Sequence, residues 1–140
     1  MSWKYSITLS SFKNLEPVEK TLENLKYQGF DTVEVYGEPD LIDVKSISHI
    51  LDSLSMDVSG ITGMWGMSSS NYKSRKLVTN DSDTLLAAQS YVKKCISLCH
   101  SLGGRTFNIC LFSDSPIIFD GNHNSLLREE KRKLLSALTD

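Results

Sequence analysis

The sequence of 140 residues has no apolar run that approaches the roughly 18 residues needed to span a bilayer. The N-terminus leads almost directly into a strand-like segment and lacks the apolar core of a signal peptide. Only three cysteines are present, and their spacing forms no disulfide framework, which fits a reducing compartment. These absences predict a cytoplasmic protein that has no membrane partner.

Basic clusters and nucleotide-binding motifs are also missing. The formal net charge is −2 without a basic block, so the composition does not indicate a nucleic-acid partner. Neither a P-loop nor a G-x-G-x-x-G run occurs. The sequence contains no internal repeat, low-complexity tract or linker, and its hydrophobic content of 40% is ordinary. We therefore expect a single domain over residues 1–140, long enough to bury a core.

The three histidines do not form a metal constellation. His49 and His100 fall on predicted helices away from the expected site, whereas His123 follows the last strand and could reach it. Cys95 and Cys99 are spaced i, i+4 on a helix without a second ligand pair, which favours small buried residues over a four-ligand zinc site. The sequence thus predicts no metal site within this chain.

What the sequence does contain is period-two alternation inside short strands. Val33 and Val35 alternate with Thr32, Glu34 and Tyr36, and the first and fourth strands alternate similarly. A helix-like segment follows each strand, and this β/α repetition implies a parallel sheet. The predicted strands are Tyr5–Ser10, Thr32–Tyr36, Val58–Thr62 and Thr106–Phe112, the third interrupted by Gly60 and Gly63.

The helices have their own signals. Asn14 is the expected N-cap of the first helix, with Pro17 in its first turn and Gly29 at its stop. Asp43 caps the second helix, and Asp81 or Ser82 caps the third. A last helix is predicted with three leucines on one face: Leu127, Leu134 and Leu138. The connection from Gly63 to Asn80 is long enough to suggest a functional or mobile loop.

The predicted architecture follows from the polar face of the strands. Parallel strands packed by helices on both faces usually read as continuous apolar runs. A polar inner face instead fits strands that line a cavity near the mouth of a β/α barrel. A closed eight-stranded barrel needs roughly 250 residues. The sequence therefore predicts an α/β protein of parallel β/α units, a (β/α)₄ half of a TIM barrel.

Sites in such folds form at the carboxyl ends of the strands. Glu34 is the leading candidate, because a carboxylate facing the interior requires a partner such as a metal, an arginine or a substrate hydroxyl. Tyr36, Ser10 and Trp65 are the other expected substrate contacts. The alternatives are a structural ion pair for Glu34 and loop packing for Trp65. The remaining carboxylates rank lower, as solvated loop residues: Glu38, Asp40, Asp114 and Asp120.

Three segments carry a family resemblance. Gly29–Val35 resembles the "G-F-D-x-V-E-hydrophobic" second strand of the xylose-isomerase-like TIM barrels, which include sugar-phosphate isomerases and epimerases. Val58–Gly66 resembles their third strand and its loop. Asp81–Asp83, followed by Tyr91–Ile96 and Leu102–Gly104, resembles their third helix and the approach to strand four. The order and spacing agree with the N-terminal half of such a barrel.

The resemblance implies a sugar or sugar-phosphate substrate and a divalent metal, Mn, Mg, Zn or Co, that polarises substrate oxygens while carboxylates move a proton. In that family two Glu, an Asp and a His on strands five to eight hold the metal, and those strands are absent here. We therefore expect this chain to supply a wall of the substrate pocket. It would bind no metal tightly alone, its catalytic residues stay unassigned, and whether it is itself an enzyme stays open.

Other interpretations remain. A non-catalytic half-barrel module could assemble as a homo-oligomer through unpaired strand edges. A fragment of an endonuclease-IV-like phosphodiesterase would need histidines where Trp65 and Phe112–Asp114 stand, and a basic charge that this chain lacks. An open flavodoxin-like sheet conflicts with the polar strand faces.

Overall fold

A computed structural model describes residues 4–13, 17–65 and 71–109, together with helical positions at 129, 132, 133, 135 and 136. The chain divides into two compact units, one of residues 1–63 and 94–109 and the other of residues 64–93 and 110–140. The single domain predicted over residues 1–140 stays a prediction.

The first unit contains a four-stranded parallel sheet whose strand order follows the sequence. Its strands are β1 (Ser6–Thr8), β2 (Thr32–Gly37), β3 (Asp57–Gly63) and β4 (Thr106–Asn108). The helices are α1 (Val18–Tyr27), α2 (Val44–Ser53) and α3 (Ser82–Ser101), with short 3-10 helices at Leu9–Phe12 and Tyr72–Ser74. The alternating parallel β/α order predicted from the sequence is confirmed.

The two sides of β2 differ from Val33 to Tyr36 as the alternation predicts. Val33 and Val35 are fully buried, whereas Glu34 and Tyr36 between and after them are half-buried. Sequential parallel strands joined by right-handed crossovers place their helices on one face of the sheet. The valines therefore belong to the helix-covered face. Leu22, Ile47, Leu51, Ile61 and Cys95 complete this core.

A bulge keeps β3 in phase with β2. Val58 pairs with Val33, but the next residue of β2, Glu34, pairs with Gly60, so Ser59 is an extra residue. Strict alternation from Val58 would turn Ile61 to the polar face. The bulge restores Ile61 to the helix-covered face, opposite Val35, where it is fully buried.

The two glycines do not interrupt β3, which is seven residues long and the longest of the four described strands. Gly60 is required by the close approach of β4, because a Cβ there would lie 2.5 Å from the carbonyl oxygen of Thr106. The prediction that glycines interrupt this strand was therefore wrong, because a close neighbouring backbone accounts for one of them.

The helix ends follow local chemistry. The Asp43 carboxylate accepts hydrogen bonds from the amides of Lys45 and Ser46, as predicted for the cap of α2. Asp81 accepts from the Asp83 amide at the start of α3. Gly29 follows α1 with a φ of +90°, which favours glycine. Pro17 is the N-cap residue of α1 and not part of its first turn.

β1 is shorter than predicted. The Thr8 hydroxyl accepts a hydrogen bond from the Ser10 amide and thereby starts the 3-10 helix at Leu9, so Ser10 lies beyond the strand. Asn14 lies outside the described residues, but the N-cap of α1 is Pro17, so the prediction of Asn14 as the cap was wrong. The end of the fourth strand and the three leucines of the last helix also fall outside the described residues.

Candidate functional site

The polar sheet face forms two rows of side chains toward the carboxyl ends of the strands. Register places Thr8, Glu34, Gly60 and Thr106 in one row across all four strands. The next row contains three polar side chains on neighbouring strands: Tyr36, Thr62 and Asn108. We call these two rows the polar face. Glu34 is the charged residue within it.

Glu34 lies at the centre of this face. Its β3 neighbour is Gly60, which has no side chain, and the Thr106 hydroxyl of β4 lies against that glycine. The side chain is half-buried and, within the described part of the chain, has neither a hydrogen bond nor an ion pair. Leaving a carboxylate partly desolvated without a partner costs free energy. A bound group that donates hydrogen bonds would offset this cost.

Thr62 adds a second unpaired group. Its hydroxyl oxygen is buried and has no hydrogen-bond partner among the residues that the structure describes. Thr62 stands directly beside Tyr36 in the register of β2 and β3. The polar face therefore presents a phenol, a hydroxyl and a carboxylate on adjacent positions of two strands.

A charged pair lies beside the polar face. The Lys13 ammonium is 3.7 Å from a carboxylate oxygen of Glu38 and 5.5 Å from the centroid of the Tyr36 ring. Glu38 is only 5% exposed, so it is a buried carboxylate and not the solvated loop residue expected from the sequence. Burial raises the pKa of the Tyr36 phenol, and the nearby Glu38 charge raises it further. Tyr36 is therefore a neutral hydrogen-bonding group at physiological pH.

Ser10 is half-buried in the 3-10 helix that follows β1. Its hydroxyl lies 3.0 Å from the hydroxyl of Thr8, whose oxygen also accepts from the Ser10 amide. Both residues thus form the start of this helix, next to the first row of the polar face. A direct contact between Ser10 and a substrate stays a prediction.

Trp65 belongs to the second unit, where it is 5% exposed. Its ring meets the Tyr91 ring edge to face, with centroids 5.2 Å apart. The Tyr91 hydroxyl accepts from the Met64 amide at 2.7 Å, and a guanidinium nitrogen of Arg75 donates to the Met64 carbonyl at 2.9 Å. This packing holds Trp65 in place. A role for Trp65 in substrate binding stays a prediction.

The described residues contain no group of three or more His, Cys, Asp or Glu side chains that could hold a metal ion. His49 and His100 are exposed on α2 and α3. The ligand set that the resemblance implies therefore does not fit the described part of this chain. The later residues considered in the sequence lie outside the described residues: Asp114, Asp120 and His123.

Sequence reasoning missed Lys13 as a partner of the site. The available signal was Glu38, which directly follows β2 and needs a cation once it is buried. It gave no partner for Arg75, whose side chain is 5% exposed and donates to the Met64 carbonyl. Neither partner follows a periodic pattern, because each contact depends on tertiary structure.

Comparison with solved structures shows which proteins share this fold. A D-psicose 3-epimerase determined in the presence of D-fructose matches with a TM-score of 0.64 and 14% identity, over 99% of this chain and 49% of that chain. The fold is half of a TIM barrel. The half-barrel architecture predicted from the sequence is thereby confirmed.

Two further epimerase structures agree. The D-psicose 3-epimerase of Clostridium cellulolyticum H10 with D-tagatose has a TM-score of 0.63 and 13% identity, over 97% of this chain and 50% of that one. The D-allulose 3-epimerase of a Methylomonas species in complex with D-allulose has a TM-score of 0.65 and 13% identity, over 96% and 47%. At these identities the likeness is one of fold.

The half-barrel chain spans about half the length of these epimerases. No protein-family model matches its sequence, and neither does any curated protein. None of the helices within the described residues has the length and apolar content required to cross a membrane.

Proposed function

We propose that this chain forms part of a sugar or sugar-phosphate isomerase or epimerase, in which the polar face binds the hydroxyl groups of the substrate. The observation that carries the proposal is the Glu34 carboxylate, half-buried beside Gly60 and without a protein partner in the described residues. Carboxylates accept hydrogen bonds strongly, and a polyhydroxy compound supplies several donors.

The surrounding groups support the same class of ligand. Tyr36 supplies a hydroxyl that both donates and accepts, which suits the alternating hydroxyl and carbonyl oxygens of a ketose. The Lys13 charge is already compensated by Glu38. The hydroxyl-bearing part of the substrate, and not an anionic group, is therefore the part assigned to Glu34.

The fold supports the substrate class independently. The three matching structures are epimerases that were determined with D-fructose, D-tagatose and D-allulose. Substrates in this fold meet the carboxyl ends of the strands, where the second row of the polar face lies, and Glu34 is two residues before Tyr36 of that row. Trp65 and Ser10 remain proposed substrate contacts on sequence grounds.

The reaction would also need groups beyond those described. A divalent metal would supply Lewis-acid polarisation of the substrate oxygens, but the described residues offer it no ligand set. We assign the metal ligands and the proton-transfer carboxylates to residues outside this set, and Glu34 to binding. A cytoplasmic location also stays a prediction.

Calorimetric titration of the chain with D-fructose tests the proposal. Saturable binding is expected, and Glu34→Gln should weaken it about tenfold or more, because a hydrogen bond to a charged group contributes about 1.5–3 kcal/mol. The matched control is Glu23→Gln, since Glu23 is exposed on α1. Absence of saturable binding, or equal affinity for E34Q and the wild type, would contradict the proposal.

A second candidate is an assembly module built from two copies. The outer edges of β1 and β4 pair with no strand among the described residues, and unpaired edges recruit other strands. Sedimentation equilibrium of the purified chain decides this point. A discrete dimer supports the module, whereas a monomer at all concentrations excludes it.

A further inference from the structure

Lys13 lies at the carboxyl ends of two neighbouring strands, on the side of the sheet where Tyr36 stands. It is the C-cap of the 3-10 helix Leu9–Phe12, which follows β1, whereas Glu38 directly follows β2. Because β1 and β2 are paired in the sheet, the two charged residues meet at the same end of the strands. The proposed function assigns the Tyr36 hydroxyl to the substrate, so the groups that hold this ring bear on binding.

The Lys13 ammonium has two contacts at this place. It lies 3.7 Å from a carboxylate oxygen of Glu38 and 5.5 Å from the centroid of the Tyr36 ring, within the distance of about 6 Å over which a cation is attracted to an aromatic face. The Lys13 side chain is 24% exposed and that of Glu38 6%. Solvent therefore screens this pair less than it screens an exposed pair, and the carboxylate restrains the ammonium beside the ring.

The register of the sheet explains why Tyr36 depends on such a contact. A residue in a strand is normally held by its cross-strand neighbours. On the β3 side, Tyr36 is paired with Thr62. On the other side, β1 ends at Thr8, which is paired with Glu34, so the strand stops before it reaches Tyr36. Lys13 takes the place of the missing cross-strand neighbour.

We infer that Lys13 is a positioning residue: held by Glu38, it keeps the Tyr36 ring in one rotamer and thereby presents the Tyr36 hydroxyl on the polar face. Without a neighbour on that side, a residue in a strand can adopt either of two common χ1 rotamers. Lys13 acts through Tyr36 and does not itself bind the sugar. The inference rests on the proposed function for the identity of the ligand.

The rotamer of Tyr36 can be measured without ligand. Three-bond NMR couplings from its Cγ to the backbone nitrogen and carbonyl carbon report χ1, and the wild type should show one rotamer. Lys13→Met removes the charge and should give averaged couplings, whereas Lys13→Arg keeps the charge and should restore the single rotamer. Lys45→Met is the matched control, since Lys45 is exposed on α2, and it should change nothing. A single Tyr36 rotamer in K13M overturns the inference.

Calorimetric titration with D-fructose then tests whether the rotamer matters for binding. K13M should weaken binding about twofold or more, which is the smallest coupling typical of residues in contact, and K13R should restore it. In a Tyr36→Phe background, K13M should cause no further loss, because no hydroxyl remains to be placed. Equal losses in both backgrounds would mean that Lys13 acts on the sugar or on the fold, and would overturn the inference.

Failure of this inference and failure of the proposed function give different results. A wild type without saturable fructose binding contradicts the proposed function, whereas the couplings decide the role of Lys13 with no ligand present. Fructose binding that depends on Glu34 and Tyr36 but not on Lys13 overturns the positioning role and leaves the proposed function standing.

Discussion

The Arg75 guanidinium carbon lies 3.9 Å from the centroid of the Tyr91 ring, and both side chains are buried. The same two residues hold the backbone of Met64, Tyr91 at its amide and Arg75 at its carbonyl. Met64 directly follows β3. A cation over an aromatic face in a desolvated site can contribute about 2 kcal/mol. Arg75 is therefore a structural residue of the second unit and not a free cation available to a phosphate.

Replacing Arg75 with methionine should destabilise the protein by about 2 kcal/mol, because it removes a buried hydrogen bond and the contact with Tyr91. Urea unfolding measures this change. Lys73→Met is the matched control, since Lys73 is exposed in the same loop, and its cost should be near zero. Equal losses for R75M and K73M would show that the contacts of Arg75 do not stabilise the fold.

Lys13 and Glu38 should be coupled in stability. Lys13→Met removes a cation from beside the buried Glu38 carboxylate, and we expect a loss of about 1–3 kcal/mol in the free energy of unfolding. Adding E38Q to K13M should lower the free energy of unfolding by less than E38Q lowers it in the wild type. The reason is that the Lys13 charge, which the Glu38 carboxylate balances, is already absent from K13M. Urea unfolding of all four proteins completes the cycle. Strict additivity would mean that the pair does not interact.

The raised pKa of Tyr36 predicts that the protein loses stability at alkaline pH. Its pKa in the folded protein lies above the ordinary value of 10.0, because burial and then Glu38 disfavour the phenolate. The folded state therefore holds this proton more tightly than the unfolded state. The stabilisation is complete below pH 10.0 and is lost as the pH rises through the raised pKa.

The free energy of unfolding, measured as the pH rises through this range, should decline more steeply for the wild type than for Tyr36→Phe. Tyr27→Phe is the control, since Tyr27 is 89% exposed. Its pH profile should match that of the wild type. A Y36F profile that declines as steeply as the wild type would place the titrating group elsewhere.

Gly60→Ala should destabilise the sheet by about 1–3 kcal/mol, because the new methyl group would collide with the backbone of Thr106. Shortening the neighbour in G60A/T106A should not restore stability, since the collision involves the Thr106 carbonyl oxygen as well as its side chain. Thermal unfolding compares G60A with the double variant. Full rescue by T106A would show that the side chain alone sets the requirement for glycine.

Local patterns accounted for much of the fold. Alternation at Val33 and Val35 identified the helix-covered face of β2, and Asp43 and Gly29 marked helix ends by their own backbone chemistry. Such signals act over a few residues, so they are visible in the sequence. From these elements and the family resemblance, half of a barrel could be predicted.

The rest depended on contacts between distant segments. The bulge at Ser59 and the need for Gly60 arise from how β2 and β4 lie against β3, which period-two reasoning does not contain. Lys13 meets Glu38 only because β1 and β2 are neighbours. The half-buried position of Glu34 on the polar face could be predicted because one short alternation sufficed.

The central claim is that the polar face, and not the helix-covered face, binds a sugar. Methyl NMR of the chain during titration with D-fructose tests it most directly, because each face has its own reporters. The methyl groups of Thr8 and Thr62 lie on the polar face, and those of Val33 and Val35 on the helix-covered face. We predict saturable shifts for the two threonines and none for the two valines. Unchanged threonine methyl signals, or equal shifts on both faces, would contradict the account.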